Sequence, residues 1–243
     1  YFLIRYNLPT MNKQKYLYIA IFAAIAVLLI GGAIYYFQES IPVEEEQQEE
    51  DELKTWVDRG IDEEDFHIFQ ERIDGLLVEF EAATERDINL LLRLGNVYYT
   101  IGELGKAVEY YDDILSSHPN DTPALENKGQ ALLEMGDEEG AEVVWRQAIE
   151  LGGQEFIYIK LSDLILEEFP ERSDDARIVL EDGVASYGQT TAFMVALGNW
   201  YRQDGNLDRA ISHYEIAYTL SGQSSPIKAV LDEIKAEKAN GGR

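Results

Sequence analysis

The side chains that could carry chemistry are three histidines and forty-six carboxylates, with no cysteine. Absence of cysteine excludes disulfides, thiolate nucleophiles and cysteine-ligated zinc. His67, His118 and His213 are far apart, whereas a helical zinc pair needs two histidines at four-residue spacing. Neighbouring carboxylates such as Asp112-Asp113, Glu138-Glu139, Glu167-Glu168 and Asp174-Asp175 could in principle form acid/base pairs. Adjacent positions on a helix point about 100° apart, however, and no apolar enclosure surrounds them to shift a pKa. They read as solvated faces. No phosphate-binding glycine loop, nucleophile elbow or His/Asp/Ser set occurs. The expectation is a non-enzyme without catalytic, cofactor or metal-binding residues.

What remains is the set of elements that such side chains decorate. Residues 88–121, INLLLRLGNVYYTIGELGKAVEYYDDILSSHPND, place Leu91, Leu94 and Tyr98 on one helical face and Gly102 where a first helix would stop. A shift of 34 residues superposes Leu91 on Leu125, Gly95 on Gly129, Gly102 on Gly136, Ala107 on Ala141 and Tyr111 on Trp145. A fixed period of this length marks a helical repeat array, in which no hairpin buries its apolar face alone. Gly95 and Ala107 let two helices approach closely, and Pro119 ends the second of them.

The chain resembles tetratricopeptide repeat (TPR) proteins through Leu94-Gly95, Tyr98, Gly102, Ala107, Tyr111 and Pro119. The resemblance implies an all-α fold, a right-handed α-solenoid of helix-turn-helix units. About four units are expected: 88–121, 122–155, a degenerate 155–190 interrupted by Pro170, and 191–224 with Leu197-Gly198, Tyr201, Gly205, Ala210 and Tyr214. Residues 55–87 read as a capping region in which Phe66, Phe69, Ile73, Leu76, Leu77 and Phe80 form an amphipathic stripe, and Trp56 begins its packing. Residues 225–243 read as a terminal capping helix and tail, with Pro226 in the first turn.

In such arrays the first helix of each unit lines a concave groove. The resemblance therefore implies a protein-binding groove carrying Asn89, Leu92, Arg93, Asn96, Tyr99, Glu126, Asn127, Gln130, Leu133, Ile159, Asp163, Leu166, Asn199, Arg202 and Gln203. Asn96 and Asn199 suit a peptide backbone, since an amide both donates and accepts; Tyr99 offers a flat apolar wall. Branches that clamp an acidic C-terminal tail use several lysines, which are missing here while Glu126 and Asp163 intrude. Neutral or basic protein or peptide segments are the expected partners.

Upstream, residues 1–15 form a short basic stretch in which translation is expected to start at Met11. Residues 16–37, YLYIAIFAAIAVLLIGGAIYYF, are 22 uncharged and mostly apolar residues, roughly 33 Å as a helix and enough to cross a bilayer. Tyr16, Tyr18, Tyr35 and Tyr36 stand at its ends, where aromatic belts occur. The run is longer than a cleaved signal peptide requires and continues past the small residues Gly31 and Ala33. A retained anchor is expected, with Lys13 and Lys15 holding the N-terminus in the cytoplasm and the repeats on the outer, periplasmic or extracellular side. Residues 38–54 contain Pro42 and a run of carboxylates broken by glutamines. Without the Asp/Asn/Gly loop of a hard-cation site they read as a self-repelling spacer.

All 46 acidic residues and 17 of the 20 basic ones follow Phe37, a balance of −29. Such a field repels nucleic acid and favours basic partners. The expected function is a membrane-anchored scaffold that binds partners in its groove and assists assembly or quality control in the bacterial envelope. The alternatives are an organellar-type import receptor for basic targeting segments and a self-associating structural protein using patches around Trp145 and Trp200.

Overall fold

The computed structural model describes residues 53–84 and 86–241. These residues form ten α-helices, one short 3-10 turn and no strand: α1 Glu63–Ala82, α2 Ile88–Thr100, α3 Leu104–Ser117, α4 Thr122–Met135, α5 Glu138–Glu150, α6 Glu155–Glu168, the turn Pro170–Arg172, α7 Ser173–Tyr187, α8 Thr191–Gln203, α9 Leu207–Leu220 and α10 Ser225–Gly241. Short polar caps start the helices. Asp62 accepts from the Asp65 N–H, Asp87 from Asn89 and Leu90, Asp121 from Ala124, Asp137 from Gly140, Thr190 from Phe193 and Asn206 from Arg209. Each satisfies a donor that the first helical turn leaves unpaired.

Consecutive helices pack as hairpins, α2 with α3, α4 with α5, α6 with α7 and α8 with α9, and the second helix of each packs on the first of the next. Ile73 and Leu76 of α1 are buried against Leu90, Leu94, Val97 and Ile101, and Leu231 and Ile234 of α10 close the other end. The hairpins close through one device used three times. A Cβ on Gly95 would stand 2.6 Å from Tyr111, on Gly129 2.3 Å from the Trp145 indole, and on Gly198 2.5 Å from Tyr214. Each aromatic ring thus lies directly on the facing backbone, at a separation that a side chain would forbid.

In α6 the residue buried at the helix contact is Ser162, whose Oγ has no hydrogen-bond partner. An unpaired buried hydroxyl costs stability. Ser162→Ala is expected to stabilise the protein by about 1 kcal/mol and to raise the melting temperature by about 2–4 °C. A lower melting temperature in thermal denaturation would contradict the unpaired state of this hydroxyl.

Three expectations are corrected. Among the described residues no helix is long and apolar enough to cross a membrane. Even α1, with 20 residues, carries Glu63, Glu64, Asp65, Glu71, Asp74, Glu79 and Glu81. The expectation of a single-pass membrane protein with a cytoplasmic N-terminus and an outer repeat domain is corrected accordingly: no described helix supplies a span, and the expected one, residues 16–37, lies outside the described residues. Trp56 does not begin the packing of the capping helix, because it is 56% exposed and sits in non-helical chain before α1. Trp145 and Trp200 form no surface patch for self-association. Trp145 is fully buried with its Nε1 donating to the Glu126 carbonyl at 3.1 Å, and Trp200 is buried with its Nε1 donating to the Ser173 carbonyl at 2.7 Å.

Candidate functional site

The first helices α2, α4 and α6 carry a connected polar layer. Asn96 is the ninth residue of α2, and Gln130 and Asp163 hold the same place on α4 and α6. The Asn96 Oδ1 accepts from the Tyr111 hydroxyl at 2.8 Å and from Asn127 Nδ2 at 2.9 Å. The layer continues as Tyr99 donates to Glu134, Gln130 donates to Glu134 at 3.0 Å, and Lys160 donates to Gln130. Asn96, Tyr99, Thr100, Tyr111, Asn127 and Gln130 line a depression of about 260 Å³. Four of the residues expected in the groove, Asn96, Tyr99, Asn127 and Gln130, are therefore drawn together by two consecutive hairpins.

The hydrogen bonds divide the chemistry of each amide. The Asn96 carbonyl is used by Tyr111 and Asn127, and that of Asn199 accepts from the Tyr214 hydroxyl at 2.5 Å. Both asparagines thus tie a first helix to the second helix of its own hairpin. Among the described residues their Nδ2 groups have no partner, so the side chains can offer donors to a ligand while their acceptors serve the fold.

Other expected residues scatter. Asn89 is exposed on the first turn of α2, and Arg93 pairs with Glu79 of α1 at 3.4 Å. Leu133, Ile159 and Leu166 are half-buried against the main core. Asp163 is exposed as a residue, yet partial desolvation of its carboxyl by the protein around it, and then the neighbouring Glu167, raise its pKa, opposed by Lys160. Arg202 reaches Glu237 of α10 at 2.9 Å and Glu233 at 3.9 Å. Gln203 lines a separate cavity of about 370 Å³ with Leu166, Pro170, Ser173, Trp200 and Asp204. Glu126 departs from the expectation: it is 4% exposed and accepts from the Gln154 N–H at 2.7 Å. It turns inward because the start of α6, which lacks a side-chain cap, needs an acceptor.

Glu134 and Lys160 belong to the layer and were not foreseen. Each had a signal. Glu134 lies one turn beyond Gln130 on the same face, and Lys160 is the sixth residue of α6 as Asn127 is of α4. Burial pushes the Glu134 carboxyl up, but hydrogen bonds from Tyr99, Gln130 and Arg59 outweigh it and hold it below its ordinary range. Burial, and then the bond to Glu134, push the Tyr99 phenol up to about 12.

Known proteins fit this architecture. Tetratricopeptide repeat models match residues 88–131 and 193–225. No curated protein matches the sequence. Among solved structures the fold is similar to MamA, 20% identical with a TM-score of 0.56 over 69% of this chain and 97% of that one. A MamA chain from Desulfovibrio magneticus RS-1 is 21% identical with a TM-score of 0.54, covering 65% of this chain and 88% of that one. YrrB, described as a TPR protein with an unusual peptide-binding site, is 18% identical with a TM-score of 0.55, covering 69% of this chain and 86% of that one.

Proposed function

We propose that this chain, which carries tetratricopeptide repeats, is a protein-interaction scaffold that holds an extended neutral or basic peptide segment of a partner against α2 and α4. In this reading residues 88–121, 122–155, 155–190 and 191–224 act as successive units, and recognition rather than a reaction is the output. The observation that carries it is the convergence of Asn96, Tyr99, Asn127 and Gln130 on one depression. It offers amide donors for a peptide backbone and the Tyr99 ring as an apolar wall. The sign of the partner follows from the charge. The chain has a net charge of −26, and Glu134, held ionised, borders the depression through Tyr99 and Gln130. Such a field speeds encounter with basic segments and penalises acidic ones.

The test is a fluorescence-polarisation titration with labelled extended peptides of neutral, basic and acidic composition. Neutral and basic peptides are expected to bind and acidic ones not. Asn127→Ala combined with Gln130→Ala is expected to weaken binding about tenfold, by removing two polar contacts, while circular dichroism stays unchanged. Acidic peptides binding equally well, or undiminished binding by the double variant, would overturn the reading.

A further inference from the structure

Residues 53–60, LKTWVDRG, lie before α1 as an extended strap over the turn ends of the first two hairpins. Three backbone hydrogen bonds hold it. The Lys54 N–H donates to the Met135 carbonyl at 2.9 Å, the Val57 N–H to the Gly102 carbonyl at 2.9 Å, and the Gly105 N–H to the Thr55 carbonyl at 2.9 Å. The two glycines make the approach possible: a Cβ on Gly102 would stand 2.0 Å from the Val57 carbonyl oxygen, and one on Gly105 3.2 Å from Thr55. Gly102 also has φ +86°, a left-handed conformation that other residues resist.

At its far end the strap sets Arg59 into a cup. The guanidinium Nη2 donates to Glu134 at 2.6 Å and to the Tyr99 carbonyl at 3.4 Å, and the guanidinium carbon Cζ lies 5.0 Å from the centre of the Tyr99 ring. A carboxylate, a carbonyl and an aromatic face around one planar cation are the elements of arginine recognition. The cup shares Tyr99 with the depression lined by Asn96, Asn127 and Gln130.

The strap itself is weakly anchored. Val57 alone of its residues is half-buried, and the rest, Leu53 and Trp56 included, are exposed. Elements held by a few backbone hydrogen bonds, one ion pair and a single half-buried apolar side chain open at little cost. We propose that the cup formed by Tyr99 and Glu134 is a binding site for an arginine carried on an extended segment of a partner protein, and that residues 53–60 occupy it in cis as a displaceable competitor. The proposal rests on the peptide-binding reading above and adds to it a specified side chain and an intramolecular rival. An incoming arginine competes with Arg59 for Glu134, and the rest of the incoming segment continues along Tyr99 into the depression.

The experiment uses the full chain and a labelled, terminally blocked peptide copying residues 53–60, together with the same peptide carrying alanine in place of its arginine. Arg59→Ala vacates the cup and is expected to bind the arginine peptide about tenfold more tightly than the unaltered chain, the scale of one charged hydrogen bond. Adding Glu134→Gln to Arg59→Ala is expected to abolish that gain, and the alanine peptide to show no gain with any variant. Circular dichroism of each variant verifies the helical fold. Equal binding by the unaltered chain and Arg59→Ala would overturn the proposal, as would a gain that the alanine peptide shares. In either case peptide binding sensitive to Asn127→Ala with Gln130→Ala would leave the groove reading standing, whereas loss of that sensitivity alone would remove the groove reading and not the cup.

Discussion

Gly129→Leu is expected to unfold the second hairpin. The position is buried, and even a Cβ there would lie 2.3 Å from the Trp145 Nε1 and 2.5 Å from its Cδ1. Trp145 has nowhere to go. It is fully buried, and its Nε1 is held by the Glu126 carbonyl one turn earlier on the same helix as Gly129. Overpacking by a few methylenes costs about 1–3 kcal/mol where side chains can adjust. Here the ring is fixed at both its face and its polar edge, so the cost lies at or above the top of that range, a large share of the 5–15 kcal/mol of a typical domain. In a stacked array each hairpin is stabilised by its neighbours, so loss of α4 and α5 also exposes the faces of α3 and α6 that pack on them. The expected result is a large loss of helical circular dichroism or a second, lower-temperature unfolding step. A single unshifted transition would show that the indole can move aside, and that the ring-on-backbone contact does not hold the hairpin together.

This same contact explains what the sequence makes legible. Gly95 with Tyr111, Gly129 with Trp145 and Gly198 with Tyr214 recur because a ring can lie on a backbone only where there is no side chain, and that requirement writes a period into the sequence. Whether a polar residue on the groove face is free to bind is written nowhere so plainly. Glu126 has the position and the polarity of a groove residue, yet the unpaired Gln154 N–H beneath it draws its carboxylate inward. Asn96 and Asn199 stand at corresponding places, but Tyr111 and Tyr214 have already taken their carbonyls. The strap is less legible still. Backbone hydrogen bonds impose no side-chain pattern, and the partners Arg59 and Glu134 are 75 residues apart. Trp56 misleads in the same segment, since an aromatic residue next to an amphipathic helix suggests packing, whereas the chain runs extended and leaves it in solvent.

Alkaline pH is expected to melt the repeats cooperatively, with tyrosine ionisation and loss of helicity in one transition. Five phenols are held above their ordinary value. Burial is the first cause in each case: for Tyr98 and Tyr110, which stack at 5.4 Å, Tyr98 raising Tyr110 further while the hydrogen bond with Tyr110 partly offsets the rise of Tyr98, for Tyr99 and Tyr111, and for Tyr214. A group whose folded pKa exceeds its unfolded value of about 10 contributes stability fully below that value, and loses it as pH rises through the folded one. For Tyr99 the window closes at about 12. The geometry makes the phenolate intolerable at three of these sites. Tyr111 and Tyr214 donate to the amide oxygens of Asn96 and Asn199, and Tyr99 donates to the Glu134 carboxylate. Ionisation would set two acceptors against each other in partly buried surroundings, so the proton and the fold leave together. A net charge of −26 adds repulsion that grows with every phenolate formed. In one titration followed by tyrosinate absorbance and circular dichroism, the part of the absorbance rise above pH 10 that belongs to these five phenols should coincide with the loss of helicity and be steeper than a single-proton ionisation. Tyr111→Phe with Tyr214→Phe should shift the midpoint upward relative to the loss at neutral pH, because two of the buried ionisations are gone. Smooth titration of all tyrosines near their ordinary value with helicity intact would show that these hydroxyls are reached by water without opening the hairpins.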